Sequence, residues 1–517
     1  MEPDFSTLTK KELENFGIYT PIERRLDEQK NPYWVNPVQK ILIIHPACFD
    51  HAGIPSKTNK KTLAEWVKTR IIRQIPPSNQ PAPIFSKGTF VWSFEENKEK
   101  KVLFRIIRIS ECPNDRSEYH GPSLTLLIEW DRAAYSGSGD IVPFPGLFVQ
   151  TDNEFILNPN PNNKPGHPPI SEGDVTHVYP SDFKPFTTQD AAYFQQVSQG
   201  HRTKPIVAVM DTGLYYKWED RRGNPPNPLI KRHYEKNNVK VDFILARRKR
   251  KGCRPSAMYG YCGITDYLVR PVPNSRLDVL NDLSTAQILS SPYDDHLVDQ
   301  EHAGGVIKNQ VGRHGTVISA ILSHHKCQVL PVKAFSNAGI GMLFDVLCCC
   351  NYILSSKRNG LPIQVINASF SGVLSTQNIA IFKNKLRAMT QTHKIWVVAS
   401  SGNNNYNLDT NPRYPASFGL PLANGGLERV ITVNSFYDER VVGNTGMAVS
   451  LTVKSSVSNG FLSQLPIAND EPIQGTSFAA AYVSAALASV VASAPASSRA
   501  AALSSVQSTN FPTITFS

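Results

Sequence analysis

The sequence predicts an α/β fold class, with a layered domain around a mostly parallel sheet and a separate α+β domain before it. After about residue 200, short runs that are apolar on both faces alternate with longer helical segments. Such runs are typical of strands covered by helices on both sides of a parallel sheet. Before that point the apolar runs are β-rich, and residues 158–169 form a Pro- and Asn-rich segment that favours an extended linker.

The chain of 517 residues is long enough for more than one hydrophobic core. We expect an amino-terminal domain of unknown role over residues 1–185. The layered domain follows over residues 186–500, with an insertion at about 220–305. Residues 501–517 are expected to form a carboxy-terminal tail.

In the first domain, β-rich runs predict strands at residues 41–44, 89–94, 102–109 and 124–130. Residues 62–75 carry apolar side chains at near-helical spacing and predict a helix.

In the layered domain we expect strands at residues 206–210, 328–332, 364–367, 395–399 and 430–433. Helices are predicted at residues 316–324, 342–357, 378–392 and 477–494. Ligands of such sheets bind at the carboxyl ends of the strands, so functional residues are expected there.

The charge and hydropathy of the chain indicate which classes of partner are not expected. The net charge is +11, yet the one dense basic cluster, residues 247–251, has no aromatic residues interleaved. We therefore expect no nucleic-acid partner. No apolar stretch reaches the roughly 20 residues that span a bilayer, so no membrane contact is expected either.

The first residues lack the apolar core of a secretory signal, which favours a cytoplasmic protein or export by a signal-less route. Cys348, Cys349 and Cys350 are consecutive within an apolar segment. Neighbouring side chains diverge, so this run suits buried thiols in a reducing compartment.

Three short motifs contain residues able to perform nucleophilic catalysis. Asp211 closes a predicted strand, His314 opens a predicted helix, and Ser477 begins an Ala-rich helix after Gly475. Each has a structural reading when taken alone: a turn aspartate, an exposed histidine and a helix N-cap serine. Together they supply a nucleophile, a base and a group that orients the base.

These motifs, in the chain order Asp, His, Ser, resemble those of the subtilases, the subtilisin-like serine peptidases, over roughly residues 200–495. The resemblance implies a three-layer subtilisin-like domain and a serine endopeptidase that acts through an acyl-enzyme intermediate. Asp211, His314 and Ser477 would then form the catalytic triad.

The same resemblance assigns further residues. Asn403, at the end of a Gly-Asn strand, would donate to the oxyanion. The substrate cleft would be lined by Ser369, Phe370, Ser371, Gly372, Ser400, Ser401 and Gly402. Tyr414 and Pro415 lie where the family often has a cis proline.

Ala481 departs from the family pattern, which usually has proline four residues after the nucleophile; alanine should preserve the helix. The resemblance implies no cofactor, and no metal site is expected from the sequence. The expected partner is a protein or peptide substrate.

Two alternatives stay open. The chain could be a catalytically impaired subtilase fold retained for binding or regulation. In the second, which is compatible with peptidase activity, the amino-terminal domain could be regulatory or propeptide-like and bind a regulatory partner.

Overall fold

A computed structural model provides the structure of the protein. It describes residues 23–26, 30, 32–44, 84–85, 91–96, 99–110, 124–130, 147–157, 183–184, 204–213, 258–263, 314–335, 340–437, 440–441, 443–455, 475–493, 496, 498–508 and 514–516.

Strands β1 to β8 precede residue 200: Glu23–Leu26, Pro32–Ile44, Ile84–Phe85, Val91–Glu96, Glu99–Ile109, Leu124–Trp130, Leu147–Leu157 and Phe183–Lys184. Strands β9 to β19 follow: Ile206–Asp211, Met258–Tyr259, Tyr261–Cys262, Gln328–Lys333, Ile340–Met342, Ile363–Ala368, Trp396–Ser400, Val430–Tyr437, Arg440–Val441, Val449–Ser455 and Ile514–Phe516.

Helices α1 to α5 span His314–His324, Leu343–Arg358, Thr376–Arg387, Thr476–Ser493 and Arg499–Gln507. A π-helical turn, Ala388–Thr392, continues α3, and two 3₁₀ turns lie at Ala416–Gly419 and Leu422–Asn424. The predicted helix over residues 378–392 thus matches α3 and its π-helical extension.

The central sheet has the strand order β11-β12-β9-β14-β15-β16-β18-β19. Neighbouring strands run parallel from β11 to β18, and β19 is antiparallel. Each predicted strand of this domain is present, which confirms a mostly parallel sheet.

Helices cover both faces of the central sheet. Buried side chains of α1, α4 and α5 form one hydrophobic cluster on it, and those of α2 and α3 belong to a second. The three-layer α/β arrangement is therefore confirmed. Because both faces are buried, the strands read as continuous apolar runs.

An antiparallel sheet precedes this domain, in the order β13-β7-β2-β6-β5-β4-β3 with β1 beside β2. Its edge strand β13 comes from the later part of the chain and pairs with β7, with Met342 opposite Phe155 and Ile340 opposite Leu157. Ile41 and Leu127 lie in the same cluster as the α2 side chains. The later part of the chain thus contributes a strand to this sheet, and residues of the two sheets share a hydrophobic cluster.

Several predicted features lie outside the described residues: the helix at 62–75, the linker at 158–169, the basic cluster at 247–251 and most of the insertion at 220–305. At the other end, α5 packs on α4, and β19 pairs with β18. The fold therefore continues into the segment that we expected to be a tail.

Helix α4 is the one described helix long and apolar enough to cross a membrane, and 78% of it is buried inside the protein. This mostly buried helix packs in the core beside the sheet, and it passes through Ala481 unbroken. Cys327, Cys348, Cys349 and Cys350 are buried, as the cysteine run predicts for the last three.

Candidate active site

Asp211 is the last residue of β9 and is fully buried. Its Oδ1 accepts a hydrogen bond from the backbone N–H of Thr212 at 2.7 Å. The turn continues through Gly213, whose φ of 107° lies in the left-handed region that glycine adopts without strain. The carboxylate is thus held where the strand ends, at the sheet edge predicted for ligands.

His314 begins α1 and contacts Asp211 directly. Its Nδ1 lies 2.8 Å from Oδ1 and 3.0 Å from Oδ2 of the carboxylate, and both side chains are buried. An ionised carboxylate can only accept, so Nδ1 carries the proton in this contact. The proton on Nδ1 leaves Nε2 of a neutral imidazole as the basic nitrogen.

Gly315 allows α1 to approach the aspartate turn. A Cβ at this position would lie 2.2 Å from the carbonyl oxygen of Gly213. Its N–H donates to Oγ1 of Thr212 at 3.0 Å. The glycine after His314 is therefore required by close backbone packing.

Ser477 lies in the first turn of α4, with 2% of its surface exposed. Its Oγ donates to the carbonyl oxygen of Ser369 at 3.4 Å, and Ser369 Oγ donates in return to the carbonyl of Ser477 at 2.9 Å. The adjacent Phe478 ring lies 5.6 Å from the His314 ring, centroid to centroid. The start of α4 is thereby placed beside the histidine.

Asn403 is fixed to the start of α4 by its amide oxygen. Oδ1 accepts from the backbone N–H and from the hydroxyl of Thr476, both at 2.9 Å. The flip state of the amide follows from these two donors, so its NH₂ group points away from Thr476. Gly475 (φ 124°) lies against this amide: a Cβ there would be 3.2 Å from Nδ2.

The segments predicted to line the cleft lie in two places near the ends of β14 and β15. Gly372 exchanges two backbone hydrogen bonds of 2.9 Å with Tyr414. A Cβ on Gly402 would lie 3.6 Å from Ser371 Oγ, so the two segments approach closely. The Tyr414–Pro415 peptide is cis, as the resemblance implies.

Not every predicted cleft residue presents its side chain to a ligand. Phe370 is 1% exposed, and its ring lies 4.8 Å from that of Phe335 in the core. Ser400 and Ser401 are also buried. The contribution of Phe370 to a cleft is thus confined to its backbone.

Three residues in and around this edge were not among the site residues predicted from the sequence. Thr476 orients Asn403, and Thr212 joins Asp211 to α1. Asn444 donates to the carbonyl of Ser401 at 2.8 Å. Thr212 and Thr476 are adjacent to two motif residues, which is a usable signal, whereas nothing in the sequence around Asn444 indicates its contact.

Within the described part of the chain, no three His, Cys, Asp or Glu residues come together in a way that could hold a metal ion. The described residues at this edge include a buried carboxylate, an imidazole, a hydroxyl and amide donors.

Comparisons with known proteins agree with the order of the motifs. Residues 202–511 match the family model described as "Subtilase family". A similar solved structure is a cold-adapted subtilisin-like serine proteinase, 16% identical, with a TM-score of 0.31; the alignment covers 58% of this chain and 79% of that one. The comparison with curated proteins gave no match. Because the family model spans more than half of the chain and contains all three motifs, the protein belongs to the subtilase family.

Proposed function

We propose that this subtilase is an active serine endopeptidase that hydrolyses peptide bonds in protein substrates. Ser477 would attack the peptide carbonyl and form the acyl-enzyme. His314 would take the hydroxyl proton and return it to the leaving amine, while Asp211 holds the imidazole in the required tautomer.

The observation that carries this proposal is the buried contact between Asp211 and His314. Two residues 103 positions apart meet at 2.8 Å with 0% of either side chain exposed. Burying a carboxylate is costly unless it is paired, so such a pair calls for a compensating role. An Asp–His pair whose Nδ1 faces the carboxylate is the acid–base half of a triad.

For the proposed mechanism, the Ser477 hydroxyl has to change its hydrogen-bond partner. The Ser477 hydroxyl donates to the Ser369 carbonyl at 3.4 Å, a long contact. The movement that the proposed mechanism requires turns this hydroxyl towards Nε2 of His314. Catalytic hydrogen bonds are often long without substrate and tighten when it binds.

The oxyanion of the tetrahedral intermediate would be bound by the Asn403 amide and the backbone N–H of Ser477. The Asn403 oxygen is held by Thr476, which leaves the NH₂ end to donate. Ser477 lies in the first turn of α4, where backbone N–H groups and the helix dipole favour negative charge. These donors are fixed before the reaction, which is the requirement for stabilising charge as it develops.

Labelling with a fluorophosphonate probe tests the proposal. The probe reacts with an activated serine, so we expect the full-length protein to be labelled and Ser477→Ala to remain unlabelled. Ser493→Ala is the matched control, because Ser493 is exposed at the other end of the same helix. Persistent labelling of Ser477→Ala would assign the nucleophile elsewhere.

The alternative of an impaired subtilase fold gives the opposite result in the same experiment. A folded wild-type protein that takes no label, and cleaves none of a mixed peptide library, would support a binding or regulatory role. The buried Asp211–His314 pair favours the active enzyme, since a chain freed from catalysis has no chemical need for it.

A second proposal concerns the amino-terminal sheet, which we infer controls the peptidase domain. Strand β13 connects the catalytic edge to this sheet. It pairs with β7, and it begins seven residues after Lys333, the last residue of β12. A Cβ on Gly341 of β13 would lie 2.5 Å from the carbonyl oxygen of Ala334. Ala334 in turn donates its N–H to the carbonyl of Asp211 at 2.9 Å. Movement of the sheet would therefore reach the triad through few contacts.

Polar contacts hold the same sheet against α2 and α3. Glu154 of β7, 1% exposed, accepts from the backbone N–H of Ser375 at 2.9 Å and from its hydroxyl at 2.5 Å. Ser375 precedes the first turn of α3, where a carboxylate is favoured by the free N–H groups. Asn351 of α2 also donates to Ser110 Oγ at 3.0 Å.

Removing the carboxylate tests this control. In full-length Glu154→Ala we expect the fluorophosphonate labelling rate to change at least threefold, because charge-assisted contacts of this kind contribute about 1.5–3 kcal/mol. Glu23→Ala, which alters a half-exposed carboxylate on β1 of the same sheet, is the control. Equal rates in both variants and the wild type would reject a controlling role.

A further inference from the structure

Lys333 is a fully buried lysine at the catalytic edge of the sheet. It closes β12, lies opposite Asp211 in the parallel register, and has 0% of its surface exposed. Its Nζ donates to the carbonyl oxygen of Thr212. Burying an ammonium group is costly unless it is well satisfied, and no step of the proposed triad chemistry uses it. Its position therefore points to a structural task at the triad.

Thr212, whose carbonyl oxygen accepts this hydrogen bond from Lys333, links Asp211 to the helix that carries His314. Its N–H donates to Asp211 Oδ1 at 2.7 Å, and its Oγ1 accepts from the N–H of Gly315 at 3.0 Å. Gly315 directly follows His314 in the first turn of α1. One residue thus contacts the carboxylate with its backbone, α1 with its hydroxyl and Lys333 with its carbonyl.

Two backbone N–H groups just after β12 donate to a different atom of the same turn. The N–H groups of Ala334 and Phe335 donate to the carbonyl of Asp211 at 2.9 and 3.3 Å. The Lys333 side chain reaches one residue further along the turn, to Thr212. Lys333 is itself anchored, since its carbonyl accepts from the N–H of Gly263 at 2.7 Å.

We infer that Lys333 is a positioning residue of the triad, an inference that rests on the proposed peptidase activity. By holding the Thr212 carbonyl, the ammonium fixes the Asp211–Gly213 turn and, through Thr212 Oγ1, the start of α1 that carries His314. The tight contact between Gly315 and Gly213 transmits any displacement of the turn to the helix. Misplacement of a catalytic group by about 1 Å can lower a rate about 100-fold.

Lys333→Met tests this role because it keeps an unbranched apolar stem but removes the ammonium donor. We expect the second-order rate constant of fluorophosphonate labelling to fall about 10- to 100-fold, while the final extent of labelling matches the wild type. Lys357→Met is the matched control. Lys357 lies near the end of α2, and its Nζ likewise donates to a backbone carbonyl oxygen, that of Ile363, at 2.5 Å. It should leave the labelling rate within about twofold of the wild type.

Thr212→Val provides a second arm. If Lys333 acts through Thr212, the double variant should lose much less than the product of the two single losses, because both act on one turn. Should Lys333→Met not fold, Lys333→Gln replaces it: its amide falls short of the Thr212 carbonyl, and the same slowing is expected.

The result that overturns the inference is a folded Lys333→Met or Lys333→Gln that labels at the wild-type rate. Failure of the wild type to label would instead overturn the proposed peptidase activity. In that case NMR of the His314 Nδ1 proton, which is hydrogen-bonded to Asp211, still tests whether Lys333 is a positioning residue. Its resonance should be lost or shifted in Lys333→Met and kept in Lys357→Met, and an unchanged resonance in Lys333→Met rejects the inference.

Discussion

The two halves of the candidate site are built in different ways. Asp211 and His314 already contact each other at 2.8 Å, held by the aspartate turn. Ser477 and Asn403 are joined indirectly, through Thr476 and the start of α4, and the serine hydroxyl faces the Ser369 carbonyl. The Asp211–His314 pair is thus already in contact, whereas the proposed mechanism requires the Ser477 hydroxyl to leave the Ser369 carbonyl and turn towards His314. Substitutions should therefore have graded effects across the site.

Asp211→Asn should give the largest loss among the following variants, about 10⁴-fold in kcat, because an amide favours the wrong imidazole tautomer while keeping the size of the side chain. Peptide hydrolysis at neutral pH measures it, with circular dichroism as the control for folding. A loss of less than about tenfold would show that the aspartate does not orient His314.

Asn403→Ala should follow, with kcat lowered about 10²–10³-fold and KM nearly unchanged, a magnitude known for losing such a donor in another family member. The loss is confined to the transition state, where the oxyanion forms. Asn404→Ala, the next residue, is the control and should keep wild-type kcat. A rise in KM alone would place Asn403 in substrate binding.

Thr476→Val should have a smaller effect, about tenfold in kcat, because it removes one of the two donors to Asn403 Oδ1 and keeps the backbone N–H. Combination with Asn403→Ala separates the possible roles. If Thr476 acts by orienting the amide, it should add almost nothing once Asn403 is gone.

His325 tests the opposite end of α1, away from the site. Burial, and then the neighbouring His324, lowers the pKa of His325 from 6.5 to about 4. The unfolded chain therefore binds more protons between these values, so stability is complete above pH 6.5 and declines as the pH falls towards 4. Allowing for partial solvent exposure, we expect wild type to lose about 1–2 kcal/mol more than His325→Phe over this window.

Urea unfolding of both proteins at pH 7, 5 and 4 measures that difference. Parallel stability curves would show that another group carries the acid sensitivity. Labelling rates at pH 7 should be equal in the two proteins, since His325 packs against Tyr482 with ring centroids 5.4 Å apart, at the far end of the helix.

The parallel sheet and the motifs of the proposed triad were accessible from the sequence because their signals are local. Strand β9 is a continuous apolar run, and Asp211 follows at its end; the Ala-rich α4 begins at the Gly-Thr-Ser motif. Contacts that join distant segments leave no such local signal. Lys333 looks like an ordinary strand-end lysine until the register places it opposite Asp211.

The amino-terminal sheet shows the same limit on a larger scale. Strands β2, β4, β5 and β6 were predicted, in whole or in part, from β-rich runs, whereas β1, β3, β7 and β13 were not. Strand β13 has three residues, Ile340–Met342, which are too few for an alternation pattern. The contact of Glu154 with Ser375 joins residues 221 positions apart. Long-range pairing of this kind is decided by tertiary packing, which neither segment encodes alone.

The pairing of β13 with β7 has a consequence for any cut in the chain between the two sheets. A protease that severed the backbone between residues 158 and 182 would not by itself release the earlier fragment. Strand pairing, the common apolar cluster and the Glu154 contact would still bind the fragments together. Nicked protein should then migrate as one particle in gel filtration and separate into two polypeptides only in denaturant.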